Sequence, residues 1–284
     1  STIVAQLDEV LKEKTITDVE IRLPKLFIGD KEKIINKKIL GVSRRAKMII
    51  IKLENNLNLL IHLKMTGQLI YSDEKNIATF PNPIPFAGNT LPGKTTHVII
   101  KLKKDSIASL QNDAVLFFND MRQFGWVHVM SNEQLAIINE KHGPEVFSKE
   151  FSEEYLTKIC GNWGRPIKLL LLDQAKIAGI GNIYANEALW YAGISPMKRG
   201  REITKDKIPY LRTSIIKVLE MGLKYKGSSA ADEAFVDAFG NPGKMQEHFA
   251  VYQKNGSPCS RCGKTITRST IGGRGTFFCP ACQC

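Results

Sequence analysis

The sequence predicts an α+β protein: a β-rich N-terminal domain, a helical domain, and a small metal-bound appendage at the C-terminal end. Three observations predict it. Short β-type runs fill the first 130 residues, helical periodicity takes over near residue 131, and five of the six cysteines crowd into the last 26 residues. The 284 residues are 43% hydrophobic, so the chain can bury a sizeable core and global disorder is excluded.

In chain order, Ile3, Leu7, Val10 and Leu11 fall on one face of a helix over 3–13. Runs at 16–23, 34–42, 48–53, 57–63, 97–102, 115–119 and 125–130 read as strands. Gly, Pro and Asn separate them, most densely over 81–93. Strands this short and this frequent suit a sandwich or a barrel. Segments 131–141, 152–160, 166–175, 182–192 and 204–225 are helical in pattern, with Pro166 suited to a first helical turn. Residues 226–246 contain three glycines, two serines and a proline, and read as a long loop of the kind that is functional or disordered.

The net charge is +12 and the pI about 9.4, which suits a polyanionic partner. The charge is clustered. Residues 31–52 carry eight Lys/Arg and one acid, and residues 248–284 carry five Lys/Arg and no acid. No apolar run approaches the roughly twenty residues of a membrane-spanning helix. The start at Ser1 lacks the pattern of a secretion signal, and a cytoplasmic location is the expectation.

Cys259-x2-Cys262 and, sixteen residues on, Cys279-x2-Cys282 have the spacing of a structural site for one Zn2+. Each pair can reach one tetrahedral ion from a tight knuckle, and four thiolates close the site. So short a segment folds on the energy of metal binding. Lys254, Arg261, Lys264, Arg268 and Arg274 more than offset the negative charge of four thiolates around Zn2+, which fits phosphate contact. A protein-docking ribbon is the competing reading and needs an exposed apolar face, for which Phe277 and Phe278 are available, although core packing suits them better. Cys160 and Cys284 stand outside the pattern.

Around Asn182, a helix ending near Asp173 turns through Gly179-Ile180-Gly181 into a second helix. Glycines there permit positive φ or close approach of a ligand, and a helix start can seat a phosphate. An ordinary helix hairpin capped by Asn182 satisfies the same local pattern.

Several short motifs recur in a specific order: Arg44-Arg45-Ala46-Lys47, His62-Leu63-Lys64-Met65-Thr66-Gly67, Asp120-Met121-Arg122-Gln123-Phe124-Gly125 and Gly143-Pro144-Glu145. They continue with Gly181-Asn182-Ile183-Tyr184-Ala185-Asn186-Glu187 and Arg274-Gly275-Thr276-Phe277-Phe278-Cys279. With the cysteines, this series resembles the formamidopyrimidine-DNA glycosylases of the Fpg/Nei family of base-excision repair enzymes, over nearly the whole chain. The resemblance implies a two-layer β-sandwich over 1–130 and a linker over 131–150. It implies a helix–two-turn–helix domain over 151–258 and a zinc finger over 259–284, with DNA in the cleft between the lobes. Residues 226–246 then match the lesion-capping loop of the oxidised-purine branch. The implied partner is double-stranded DNA carrying oxidised bases or abasic sites, bound by a monomer without a membrane, near the nucleoid.

The resemblance also implies residue roles. Met65, Arg122 and Phe124 would fill the gap left by an extruded nucleotide, Met and Phe replacing stacking and Arg bonding the widowed base. Lys47 would serve lesion processing beside the sugar and phosphate. Asn182 and Arg274 would contact phosphate, with Arg274 also serving elimination. His97, Arg165 and Lys168 are further DNA-contact expectations. The family nucleophile is an N-terminal proline followed by glutamate, and Ser1-Thr2 aligns about six residues inside that start. The chain as written is therefore expected to excise little base, with Ser1 too distant to substitute and Lys47 retaining weak lyase action. A Nei-like enzyme for oxidised pyrimidines and a non-catalytic binder of damaged DNA are the alternatives.

Overall fold

The computed structural model describes residues 2–73, 78–104, 113–229 and 235–284. Its contacts divide the chain into two compact units, Ser1–Asn139 with Tyr225–Gln246, and Glu140–Lys224 with Glu247–Cys284. The expectations about Ser1 and about part of the Ser228–Glu233 run lie outside the described residues.

The first unit opens with α1 (Thr2–Leu11), then β1 (Lys14–Ile21), β2 (Phe27–Ile28), β3 (Ile39–Arg45), β4 (Met48–Leu53), β5 (Leu57–His62) and β6 (Gly67–Ser72). It continues with β7 (Ala78–Ile84), β8 (Gly88–Leu91), β9 (Thr96–Lys104), β10 (Asp113–Asp120), β11 (Trp126–Ser131) and α2 (Asn132–Glu140). One sheet has the order β1-β9-β10-β6 and the other β2-β11-β5-β4-β3. Side chains alternate across each strand. Ile16, Val19, Val98, Ile100, Leu116 and Phe118 of the first sheet therefore share one core with Ile49, Ile51, Leu59, Ile61 and Val127 of the second. This is the sandwich, not the barrel. Ile3, Leu7 and Leu11, spaced four apart, bury one stripe of α1 in the same core.

The Gly/Pro-dense stretch contains the hairpin β7–β8, which punctuation alone concealed. Pro81 and Pro83 have no N–H to donate, and the ladder breaks between Thr79 and Ile84. Ala78, Ile84 and Leu91 nevertheless bury themselves against Ile70, Ile99, Val115 and Phe117. Strand β3 starts later than its apolar pattern suggests, because a 3-10 turn at Lys31–Lys33 and a left-handed Asn36 (φ 60°) occupy the segment before it. Residues 235–246 pack in this first unit, Val236 and Ala238 among its buried apolar side chains. Their place in the sequence groups them with the helices instead.

The second unit holds α3 (Glu153–Gly161), α4 (Ile167–Leu172), α5 (Asn182–Tyr191), α6 (Ile208–Lys224) and the hairpin β12 (Thr267–Ile271)–β13 (Arg274–Phe278). Leu156, Leu170, Leu171, Ala188, Leu189, Leu211, Ile215 and Val218 form its core. Pro166 precedes α4 as its N-cap (φ −48°, ψ 134°) instead of opening its first turn. Gly181 is the N-cap of α5, and Asn182 is its first residue. Among the described residues, no helix is long and apolar enough to cross a membrane.

Candidate nucleic-acid interface and metal centre

In the first unit, β5 and β6 are joined by residues 63–66, and β10 and β11 by residues 121–125. One carboxylate organises both connections. Asp120 is fully buried at the end of β10. Its Oδ1 accepts from Thr66 Oγ1 and from Arg122 N (3.2 Å), and its Oδ2 accepts from Phe124 N (2.8 Å) and Gly125 N (2.7 Å). Thr66 Oγ1 in turn accepts from Arg122 N at 3.0 Å. Gly125 is required by close approach: a Cβ there would lie 2.9 Å from His62 O and 3.1 Å from Asp120 Oδ2.

This frame presents the three residues expected to act as a wedge. Met65 is 52% exposed and Phe124 54% exposed. Arg122 lies across both: its Nη1 is 3.3 Å from Met65 Sδ, and its Cζ is 5.0 Å from the Phe124 ring centroid. Two large apolar side chains held in water by a guanidinium, on loops fixed by a buried carboxylate, form a surface built for a partner.

The second unit gathers its polar groups around one carbonyl. Gly275 O, at the start of β13, accepts from Lys168 Nζ (2.7 Å) and from Asn182 Nδ2 (3.2 Å). Lys168 Nζ also donates to Thr276 Oγ1 at 2.8 Å. Burial, and after it the positive charge of Arg274, push the Lys168 ammonium down to about 7. Arg274 itself is exposed beside this cluster. Asn186 Oδ1 accepts from Phe277 N (2.8 Å), so α5 and the hairpin are joined at both Gly275 and Phe277. Glu187, fully buried, accepts from the N–H groups of Ala250 (2.7 Å), Val251 (3.0 Å) and Tyr252 (2.8 Å).

The sulfurs of Cys259, Cys262, Cys279 and Cys282 all lie within 4.8 Å of one another, with Cys259–Cys282 at 4.0 Å and Cys262–Cys279 at 3.5 Å. A tetrahedron with Zn–S bonds of about 2.3 Å has edges of about 3.8 Å, so the set fits one structural zinc ion. Trp190 Nε1–H points at Cys259 Sγ (3.4 Å), the outer-shell hydrogen bond that orients a ligand sulfur. Cys160 is buried, and burial raises its thiol to about 12, so it is an inert core residue. Phe277 and Phe278 are buried, which removes the apolar face that a docking ribbon would need.

Three family models match in sequence order: the formamidopyrimidine-DNA glycosylase N-terminal domain over 1–127, its H2TH domain over 142–234, and the zinc finger found in FPG and IleRS over 256–283. The formamidopyrimidine-DNA glycosylase of Chloroflexus aurantiacus is 37% identical over 99% of this chain and 95% of its own. That of Pelotomaculum thermopropionicum is 38% identical over 94% and 91%. The chain belongs to the formamidopyrimidine-DNA glycosylase family. Among solved structures, a complex of the Lactococcus lactis Fpg with DNA containing an abasic site aligns at TM-score 0.83 and 32% identity, covering 99% of this chain and 97% of that one. A complex of the same protein with Fapy-dG DNA aligns at 0.82. The family comprises DNA glycosylases of DNA repair, and this member carries the family's zinc finger.

Within this glycosylase, Lys47 is exposed on the β3–β4 turn, after a left-handed Ala46 (φ 52°). Arg165 is exposed over the Trp163 ring at 5.7 Å. His97 and Lys168 differ from the surface contacts expected of them. His97 is 6% exposed, its Nε2 2.8 Å from Asp120 O, which precedes the loop bearing Arg122 and Phe124. Lys168 is 0% exposed beneath the hairpin that bears Arg274. Both sit as supports: His97 Nε2 meets a backbone carbonyl, and Lys168 Nζ is taken up by a carbonyl and the Thr276 hydroxyl. Sequence reasoning missed Asp120, Thr66 and Glu187 as organisers. An Asp ahead of a turn that ends in Gly is an Asx-turn signal that points to the first. No local pattern announces the third, whose donors lie more than sixty residues away.

Proposed function

We propose that this glycosylase removes oxidised purines, 8-oxoguanine and ring-opened formamidopyrimidines, from duplex DNA and then cleaves the resulting abasic site by β,δ-elimination. The observation that carries the reading is Arg122 held between exposed Met65 and Phe124. Extruding a base leaves a hole with an unpaired partner opposite, and those three side chains supply two stacking surfaces and a hydrogen-bond donor to fill it. Lys47 serves lesion processing beside the sugar and phosphate, Asn182 contacts phosphate, and Arg165 is a further DNA contact. Arg274 contacts phosphate and serves the elimination step. The Lactococcus lactis complexes with abasic-site and Fapy-dG DNA support this choice of partner.

In the family's pattern the chemistry starts from an N-terminal proline amine. An α-amine titrates near 7.7–8.0, so a useful fraction is neutral at physiological pH. It attacks C1′ as the damaged base departs with the glycosidic electron pair, and the adjacent glutamate manages the protons. Breaking of the C1′–O4′ bond, with a proton passed to O4′, opens the sugar and gives an iminium that acidifies C2′–H, which permits loss of first the 3′ and then the 5′ phosphate. The test uses the chain carrying the family's Pro-Glu-Leu-Pro-Glu start. Borohydride should trap a covalent adduct with duplexes bearing 8-oxoguanine. A second reading, action on oxidised pyrimidines, is favoured by a Lactococcus lactis Fpg complex with DNA containing one. Adducts confined to pyrimidine lesions would select it, and no adduct with either would leave a damaged-DNA binder.

A further inference from the structure

Residues 235–242 contain a polar knot with no counterpart in the motifs above. Asp237 is 2% exposed. Its Oδ1 accepts from Phe239 N (2.9 Å) and Asn241 N (2.8 Å), and its Oδ2 accepts from Gln6 Nε2 (3.0 Å) and Asn241 Nδ2 (3.3 Å). Gln6, on α1, completes the pairing by accepting Ala238 N at 3.1 Å through its own Oε1. Ala238 O then accepts Tyr71 N (2.8 Å) at the end of β6, and Phe239 meets the Tyr71 ring edge-on at 6.4 Å. A backbone turn wound around one carboxylate is thus joined to a sheet and to a helix 231 residues away in sequence. The other side of the segment is closed separately: Met245 N donates to Gly227 O (2.9 Å), and Gly243 N donates to Ser229 Oγ (2.9 Å).

We infer that Gln6 and Asp237 are positioning residues for lesion discrimination: their paired amide–carboxylate contact fixes residues 235–242 against α1 and β6, so that the segment recognising the extruded base is presented on a rigid base. The inference rests on the proposed reading and on the resemblance by which 226–246 matches a lesion-capping loop, and it concerns the described residues 235–242. Gln6 is the specific element. A residue at that place on α1 must offer one donor and one acceptor at once, one to Asp237 Oδ2 and the other to Ala238 N, which an amide does and a carboxylate or an alkyl group does not. Removing either bond leaves a buried partner unsatisfied, which costs more than the bond itself contributes. Neither residue contacts the wedge loops in any observed hydrogen bond, so a duplex that needs only gap filling and phosphate contacts does not depend on the pairing.

The experiment measures affinity for two duplexes identical except at one position, which carries either 8-oxoguanine on a 2′-fluoro sugar, to keep the base attached, or a tetrahydrofuran abasic analogue. Gln6→Glu sets two carboxylates face to face, and Asp237→Asn sets two amide donors face to face. Each should lower the 8-oxoguanine affinity by about tenfold and leave the abasic affinity and the thermal midpoint of the second unit in place. The double variant Q6E/D237N restores complementary donors and acceptors and should recover the ratio, whereas a merely structural role for either residue would lower both affinities together and leave the ratio unchanged. Single variants that discriminate like the parent, or a double variant no better than the singles, would overturn the inference. A parent chain that binds abasic duplex no better than undamaged duplex would remove the functional reading, and this inference with it.

Discussion

The two units each present a polar surface from a buried charge, and they do it with opposite chemistry. In the first, the Asp120 carboxylate collects a hydroxyl and three turn N–H groups. In the second, the Lys168 ammonium collects one carbonyl and one hydroxyl, with Arg274 nearby as a like charge. Backbone N–H groups in a tight turn point inward together, so an anion is easily saturated. Carbonyls rarely converge in the same way on a cation, and the ammonium is left under-solvated. The carboxylate therefore makes a fixed frame for Met65, Arg122 and Phe124, while the hairpin that carries Arg274 needs a second device, the zinc ion, to hold its shape.

That contrast can be broken in order of effect. Loss of the metal is the largest. Structural zinc contributes about 10–16 kcal/mol to small cysteine domains, so Cys279→Ser should release zinc and weaken duplex binding by at least ~100-fold. Metal content and fluorescence anisotropy on labelled duplex measure the two. Undiminished binding by a zinc-free variant would remove the finger from the interface. Next, Asp120→Ala strands three donors at once, Arg122 N keeping Thr66 Oγ1, and should destabilise the first unit by about 3–5 kcal/mol, read as a lower denaturant midpoint. A change near zero would show that water replaces the carboxylate and that the frame is not fixed by it.

The smallest effect separates the two charges. The Lys168 ammonium is depressed from 10.5 to about 7 in the folded chain. Between those values the unfolded chain binds more protons than the folded one, so stability should climb as pH rises from about 7 towards 10.5. Below about 7 the cost of burying the charge is fully present. Lys168→Met should be near-neutral at pH 8 and should flatten this slope, as thermal midpoints across the range can measure. An unchanged slope would assign it to another group.

The sequence made the metal centre legible because its ligands are adjacent pairs, and it singled out Met65, Arg122 and Phe124, which the structure brings together, because they sit in recognisable motifs. It concealed whatever depends on distant pairing. The β7–β8 hairpin was obscured by Pro81 and Pro83, which do break its ladder but leave its buried face intact. Lys168 reads as a surface lysine until the hairpin, 107 residues on, closes over it. His97 reads as a contact residue until its ring turns out to brace Asp120. Residues 235–242 carry the punctuation of a free loop, and only the structure brings Gln6 to them. Local composition predicts where the backbone bends. It does not predict which remote side chain receives the bend.

Glu187 has a consequence of this kind for the C-terminal tail. Its carboxylate clasps the three N–H groups of Ala250, Val251 and Tyr252, ahead of Cys259, the first of the four clustered cysteines. The chain is therefore moored to α5 at a point that owes nothing to the ion. Beyond Tyr252 the metal shares its task with the contacts at Gly275 and Phe277, and a protein stripped of zinc keeps its leash in place, ready to refold a short, tethered segment when the ion returns.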